Sequence, residues 1–304
     1  MSGTLRRLAV AAPLLTLAGV SWSQQLEPRN YANVPVGMNF LIAGYVQASG
    51  GYSADPALPL TDAHLKVQTP VVAYARSLDV AGKSAKIDVV AAGGCVTGNA
   101  LFNGAPVSRD VCGLLDPAVR FSMNFYGAPA LSLEEFREYR QDLVVGGSLQ
   151  VQAPLGQYDP SRLVNLSTNR WTFRPEIGVS KRIRPLTVEV ALGASLFTTN
   201  DNYFGGKRRE QDPIYNSQLH LIYEFSGGTW AAFNATYYTG GRTTVNGVEN
   251  NDELGNSRAG LTLAFPVDRR NSVKLYASRG ISVRTGTDFD LYGVAWQHRW
   301  GGGL

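Results

Sequence analysis

Charged and amide side chains recur at every second position of several segments, and this spacing is where the chain could do chemistry. Gln150 and Gln152 form one such pair, and Arg174 and Glu176 form another. Residues i and i+2 lie on the same face of a β-strand. A face with groups of both signs binds water, ions or polar solutes, or its charges pair with one another. The spacing therefore predicts faces that line either a wet lumen or a salt-bridged core.

The candidate lumen-lining residues share inward parity in the predicted strands. They are Lys66, Arg76, Asp88, Arg120, Gln150, Gln152, Arg174, Glu176, Glu189, His220 and Glu224. A lone Lys or Arg that faces lipid at mid-membrane costs about 2–4 kcal/mol, so these groups are expected to face water or each other. An open pore for small polar or amphipathic solutes and a closed barrel with paired charges both remain open alternatives.

Catalytic chemistry has little support in the sequence. The chain has three histidines and contains no G-x-S-x-G, H-E-x-x-H, P-loop or dinucleotide fingerprint. Outer-membrane phospholipases use a lipid-facing Ser-His pair, but here Ser278 and Ser282 have inward parity whereas His298 faces lipid. We therefore expect no enzyme, no cofactor and no metal site.

The segments that must position these residues alternate between apolar and polar side chains. Val188, Val190 and Leu192, for example, oppose Glu189 and Ala191. The pattern predicts an all-β, antiparallel, up-and-down transmembrane β-barrel of about 12 strands. The predicted segments are 38–50, 63–78, 83–97, 108–126, 142–155, 169–182, 186–198, 212–225, 229–240, 255–265, 271–283 and 288–300.

Both ends of the chain indicate export to an outer membrane. Arg6 and Arg7 precede a mostly apolar stretch, Leu8 to Val20, and Ser21-Trp22-Ser23 fits a cleavage site. This predicts a signal peptide at 1–23 and a barrel at 24–304, in the outer membrane of a Gram-negative cell. The last strand alternates Tyr292, Val294, Trp296, His298 and Trp300 with smaller or polar residues. Such a strand is typical of barrels that the barrel-assembly machinery recognises.

Composition is consistent with a barrel whose partners are the lipid bilayer and a small-molecule solute. Charged residues are 17% of the chain, below the usual figure of about 25% for soluble domains. The net charge is +4, of which Arg6 and Arg7 supply two, so no nucleic-acid partner is indicated. Residues 24–304 contain no run of about 18 apolar residues, which argues against helical spans.

With both ends in the periplasm, most external connections are long and most periplasmic turns are short. The exception is 127–141, where Ser132-Leu-Glu-Glu135 is a capping-box pattern that predicts a short helix, either covering the lower rim or without a role. The proline-containing stretch 26–37 precedes the first strand, and we hypothesise that it plugs the lower opening.

Cys95 and Cys112 are candidates for a disulfide in an oxidising periplasm, with two free thiols as the alternative. Parity places Cys95 outside and Cys112 inside. A bridge therefore needs either a bulge near Asp116-Pro117 or cysteines that lie above the membrane.

Several sequence blocks carry a resemblance to a known family. They are Leu26–Gly37, Ala153–Pro160, Asn169–Trp171 with Pro175-Glu176, Tyr237–Val245, Asn256–Arg258, Lys274–Tyr276, Trp296 and Arg299-Trp300. With these blocks the chain resembles a family of bacterial outer-membrane transporters labelled "putative MetA-pathway of phenol degradation". The resemblance implies an outer-membrane barrel with a role in the uptake of aromatic or hydrophobic compounds. Our interpretation of the whole sequence is a passive channel or transporter for small solutes. The alternative from the residues alone is a non-conducting structural or adhesion barrel with functional external loops.

Overall fold

Twelve antiparallel strands close into a barrel, as the period-two alternation predicts. The computed structural model describes residues 27–53, 60–102, 104–162 and 164–304, so the predicted signal peptide at 1–23 lies outside the described residues. The strands are β1 Met38–Ser53, β2 Leu60–Val80, β3 Lys83–Phe102, β4 Ala105–Leu114, β5 Ala118–Tyr126, β6 Leu143–Gln152, β7 Thr172–Ile183, β8 Leu186–Phe197, β9 Asn200–Tyr203, β10 Lys207–Gln211, β11 Ile214–Glu224, β12 Trp230–Gly240, β13 Thr243–Val245, β14 Val248–Glu249, β15 Leu254–Pro266, β16 Asn271–Ser282 and β17 Gly286–Gly301.

Neighbours in the barrel follow chain order, and β1 closes the ring by pairing with both β2 and β17. β4 and β5 together act as one barrel strand, because both pair with β3. The short strands β9, β10, β13 and β14 form a separate four-stranded sheet in the connections at 198–213 and 241–253. We call the end where β1 begins and β17 finishes the terminal end, and the opposite end the loop end.

The outer face of the barrel is apolar, whereas polar side chains line much of the inner face. Val72, Ile177 and Leu261 are each more than half exposed, as lipid-facing side chains are in a chain without its membrane. Ser180 and Asn234, by contrast, are almost fully buried on the inner face. Alternation along each strand thus separates a lipid-facing surface from a polar interior. Among the described residues, no helix is long and apolar enough to cross a membrane.

The predicted helix forms at the terminal end. Helix α1 spans Leu133–Glu138, and Ser132 and Glu135 make the reciprocal hydrogen bonds of a capping box. These bonds, from the Ser132 backbone N–H and hydroxyl, lower the pKa of the Glu135 carboxyl. The helix belongs to the connection 127–142, whose Leu131 accepts a hydrogen bond from the N–H of Val36. This connection therefore lies against the segment that precedes β1.

The register between β3 and its neighbour changes by one residue at Leu115–Pro117. Cys95 lies directly opposite Cys112 in β4, whereas further along β3 Asp88 lies opposite Arg120 in β5. The extra residue turns Cys112 to the outer face, where it forms a disulfide with Cys95. A bulge near Asp116-Pro117 was one of the two arrangements that would allow this disulfide.

Prolines fall where the ladder is interrupted. Pro117 and Pro213 lie between strands, and Pro70 and Pro175 lie in strands but lack a ladder partner on one side. A proline has no N–H to donate, so each must face a gap in the ladder. The predicted external loop 98–107 is much shorter in the structure. β3 extends to Phe102, and β4 already begins at Ala105.

Candidate functional site

The lumen brings most of the predicted lining residues together. Asp88, Arg120, Gln150, Gln152, Arg174, Glu176, Glu189, His220 and Glu224 lie on the inner face of the barrel, where they are buried or half-buried. They come from six neighbouring strands, β3, β5, β6, β7, β8 and β11, so they cover one side of the lumen.

Lys66 and Arg76 do not line the lumen, and their predicted role is wrong. Both are exposed on the outer face of β2, in the same parity as Val72, while the inner face of β2 carries Val67 and Ala75. The ten residue steps from Lys66 to Arg76 span about 34 Å of strand, or about 26 Å along the barrel axis at a usual tilt of about 40°. The two charges thus lie at the edges of the apolar belt. At the edges they do not incur the cost of a charge at mid-membrane.

The segment before β1 enters the lumen and binds its charged wall. The backbone N–H of Arg29 donates to Glu189 Oε2 at 2.7 Å, and the hydroxyl of Tyr31 donates to Glu176 Oε1 at 2.7 Å. Arg120 Nη1 donates to Glu27 Oε2 at 3.0 Å and to Asn30 Oδ1 at 3.3 Å. This is the side of the barrel formed by β5–β8. We name residues 27–33 the inner segment.

Ion pairs and amide hydrogen bonds complete this network. Glu224 pairs with Arg29 at 3.5 Å and also with Arg182. Glu189 accepts a second hydrogen bond from Ser180 Oγ at 2.9 Å, and Gln218 Nε2 donates to Glu176 Oε2 at 2.8 Å. Glu176, Glu189 and Glu224 therefore each have more than one donor, as buried charges require.

The ring of Tyr31 lies in a recess that small residues create in the barrel wall. Tyr31 is 2% exposed and packs with Ala191 in one apolar cluster. A Cβ at Gly178 would overlap the Tyr31 ring, and one at Gly146 would lie 2.7 Å from Tyr31 Cδ1. The absence of side chains at these glycines lets the ring approach the backbone of β6 and β7, so the sequence builds the recess for this side chain.

Gly178→Ala should displace the inner segment from the wall. Because the added methyl overlaps the Tyr31 ring, we expect the thermal midpoint to fall by an amount equivalent to about 1–3 kcal/mol, the usual cost of overpacking. The Gly93→Ala variant is the matched control, because its Cβ would lie at an ordinary contact distance of 3.6 Å. Equal midpoints for the two variants would contradict the recess.

A large cavity fills the terminal half of the lumen beside the inner segment. Its volume is about 1160 Å³, slightly more than the roughly 300–1,000 Å³ that is usual for ligand pockets. Its apolar wall includes Phe40, Ile42 and Val71, whereas Lys86 and Lys274 are charged residues on its surface. We name this space the vestibule; it can hold a solute with both apolar and polar parts.

Apolar side chains pack together inside the loop end of the barrel. Leu166, from the connection 153–171, is buried with Leu115 and Phe289 in one cluster. The carboxylate of Asp116, 2% exposed, accepts hydrogen bonds from Gly156 N at 3.0 Å and from Thr168 N and Oγ1 at 2.9 and 3.0 Å. Asp116 thus anchors both halves of the connection that supplies Leu166.

Buried arginines at the loop end were missed by the sequence analysis. Arg170 precedes β7, Arg209 lies on β10 and Arg258 lies on β15, and each is 4–5% exposed. Arg209 falls in the predicted connection 199–211, for which a strand-parity argument assigns no face. Arg170 lies in the predicted segment 169–182 with the inward parity of Arg174, so parity could have found it. Tyr238 is also buried on the inner face, at 2% exposure.

Neighbouring side chains hold two of the three histidines, His220 and His298. His220 Nδ1 is hydrogen-bonded to Asn234 Oδ1 at 2.8 Å, and Asn234 donates to Thr262 at 3.0 Å, so the imidazole belongs to a ladder of hydrogen-bonded side chains. His298 stacks between Trp296 and Trp300 on the outer face. Across the described ranges, no three His, Cys, Asp or Glu side chains come together as a metal site.

Comparisons with known proteins agree with this architecture. The family model described as "Putative MetA-pathway of phenol degradation" matches residues 51–297. The COG4313 outer membrane channel from Pseudomonas putida F1 superposes with a TM-score of 0.72 at 18% identity, covering 91% of this chain and 100% of that chain. The β domain of the Bordetella autotransporter BrkA reaches a TM-score of 0.50 at 8% identity, covering 87% and 100%. No curated protein matches in sequence.

Proposed function

We propose that this chain, which belongs to the family described as "Putative MetA-pathway of phenol degradation", is an outer-membrane channel that passes small, partly apolar solutes by passive diffusion. The observation that carries the proposal is the vestibule inside a closed barrel, with an apolar wall beside charged groups. Solvent-filled barrels conduct solutes that fit the polarity and width of their lining.

The proposal also assigns the orientation of the barrel in the membrane. Residues 1–23 would export the chain, the loop end would face outside and the vestibule would open to the periplasm. The inner segment and the Leu166 cluster narrow this path, so the pore is expected to be smaller than that of a sixteen-stranded porin.

Ion selectivity in planar bilayers tests the channel directly. Lys274 lines the vestibule, and no carboxylate lies within 4.0 Å of its ammonium among the described residues. Lys274→Glu should therefore shift the reversal potential in a KCl gradient toward cation selectivity. Lys66→Glu is the matched control, because Lys66 lies on the outer face and should leave the reversal potential unchanged.

The second candidate is a sealed, non-conducting barrel whose loops carry the function. The apolar cluster around Leu166 and the paired charges of the inner segment favour it. Single-channel recordings separate the two, because a sealed barrel gives no current steps. Absence of steps from protein that is folded by the heat-shift criterion on gels would refute the channel.

A further inference from the structure

Positive charge accumulates without counter-charge in the loop-end half of the lumen. Arg170 lies within electrostatic range of both Arg174 and Arg209, and Arg174 and Arg258 share Tyr238 as a neighbour. None of these arginines has a carboxylate within 4.0 Å in the described part of the chain. We name Arg170, Arg174, Arg209 and Arg258 the arginine cluster.

The hydrogen-bonding capacity of the cluster is only partly used. Arg170 Nη2 donates to Gln211 and Arg174 Nη2 donates to Gln152 Oε1 at 3.1 Å. The Nε and Nη1 atoms of both arginines are buried and have no partner, as are the Nε atoms of Arg209 and Arg258. Nearly all buried donors in folded proteins are paired, so these unused N–H groups require an acceptor.

Nearby acids are committed elsewhere. Glu176 follows Arg174 by two residues on the inner face of β7, but its carboxylate accepts from Tyr31, Asn30 and Gln218. Asp288 and Asp290 of β17 lie within electrostatic range of Arg258 but form no ion pair with it. The described acids therefore form no ion pair with the cluster.

The faces of the guanidinium groups are already covered by aromatic rings. Arg170 Cζ lies 4.1 Å from the centroid of the Phe197 ring, and Arg258 Cζ lies 3.8 Å from that of Phe289. Stacking leaves only the in-plane N–H groups free, and these are the groups that bind planar oxyanions such as carboxylates. An aryl carboxylate also presents a ring to the surrounding aromatic side chains.

We propose that the arginine cluster is a binding site for small organic carboxylates, with aryl carboxylates as the best-fitting class. A buried cation without a partner is strongly unfavourable, and a bound carboxylate supplies both the missing charge and the missing acceptors. The role of this site in solute selection rests on the proposed channel, but the binding itself does not.

Equilibrium binding in detergent tests the site independently of conduction. Benzoate is the probe and benzyl alcohol is its neutral counterpart. Benzoate should bind the folded protein and raise its thermal midpoint, and Arg170→Met or Arg174→Met should weaken binding at least about tenfold, the effect of one charge-assisted hydrogen bond. Arg279→Met is the matched control, because Arg279 is exposed on the outer face and should leave the affinity unchanged.

Folding of the variants does not limit this test, since replacing an unpaired buried cation by an apolar side chain of similar length should not destabilise the barrel without ligand. Equal binding of benzoate and benzyl alcohol, or unchanged benzoate affinity in both Met variants, would overturn the site. Failure of the full chain to bind benzoate would also overturn the site, even if the protein conducts KCl.

An internal counter-ion is the remaining competitor. Outside the described residues the chain has a single acidic residue, Asp55. If Asp55 neutralised the cluster, Asp55→Asn would raise the benzoate affinity several-fold, and that result would overturn a site built for an external carboxylate. Unchanged affinity in Asp55→Asn supports the proposal.

Discussion

A refolded variant that begins at Val34 is expected to show a single-channel conductance at least about threefold above that of the longer protein, because conductance rises with the free cross-section of the lumen. The variant lacks the inner segment but keeps the contacts of Pro35, Gly37 and Met38 with Ser77. Planar-bilayer recordings at fixed KCl concentration measure the change.

The size of this effect follows from where the inner segment lies. It bridges Arg120, Glu176, Glu189 and Glu224, which come from four different strands, so its loss frees one whole side of the lumen. The removal also leaves Glu189 without the Arg29 N–H, and we expect the thermal midpoint to fall in parallel. Water can enter the emptied lumen and hydrate these carboxylates, which limits the loss.

Tyr31→Phe is the control for this prediction. It removes one hydrogen bond to a carboxylate, worth about 1.5–3 kcal/mol, but keeps the ring in its recess. Its conductance should stay close to that of the unmodified protein. If the variant beginning at Val34 also conducts like the unmodified protein, the inner segment does not restrict the path.

The second large effect is expected for Asp116→Ala. The buried carboxylate accepts three hydrogen bonds that hold Gly156 and Thr168, and its loss leaves those buried donors unpaired. We expect a loss of about 3 kcal/mol in stability, since hydrogen bonds to a charged acceptor contribute about 1.5–3 kcal/mol each and are not additive. Leu166 should leave the apolar cluster, so current recordings should become noisier and the open level higher.

Asp159→Ala is the control within the same connection. Asp159 is part of the same loop, and its exposed carboxylate accepts hydrogen bonds only from Ser161, whose hydroxyl and N–H lower the pKa of that carboxyl. Its replacement should change neither the midpoint nor the current noise appreciably. Equal thermal midpoints and equal current noise in the two alanine variants would show that Asp116 does not anchor the connection 153–171 at the loop end.

The barrel itself follows from the sequence because alternation is a local property. Each of the predicted segments overlaps a barrel strand, and even the capping box at Ser132 fixes its helix without long-range information. The bulge at Leu115–Pro117 was one of two arrangements that would allow Cys95 to meet Cys112, and only the register of β3 against β4 and β5 decides between them.

The site was less predictable because charge alone does not decide which face a residue occupies. A charged side chain can point outward near the edges of the apolar belt, whereas it is costly at mid-membrane. Lys66 and Arg76 were assigned to the lumen on the premise that charges avoid lipid, a premise that fails at the edges of the apolar belt. Arg209 comes from a predicted connection whose path only the folded chain defines. Arg170 and Arg209 are each 5% exposed, so the loop end also contributes buried charges.

The spacing of Lys66 and Arg76 on β2 also has a consequence for the host membrane. A belt of about 26 Å is shorter than the hydrocarbon thickness of about 30 Å in an average bilayer, whereas bacterial outer membranes are thinner than average. Long-chain lipids would have to compress around the protein, at a cost of fractions of a kcal/mol per Å of mismatch. Short acyl chains are therefore the matched environment for reconstituting this barrel.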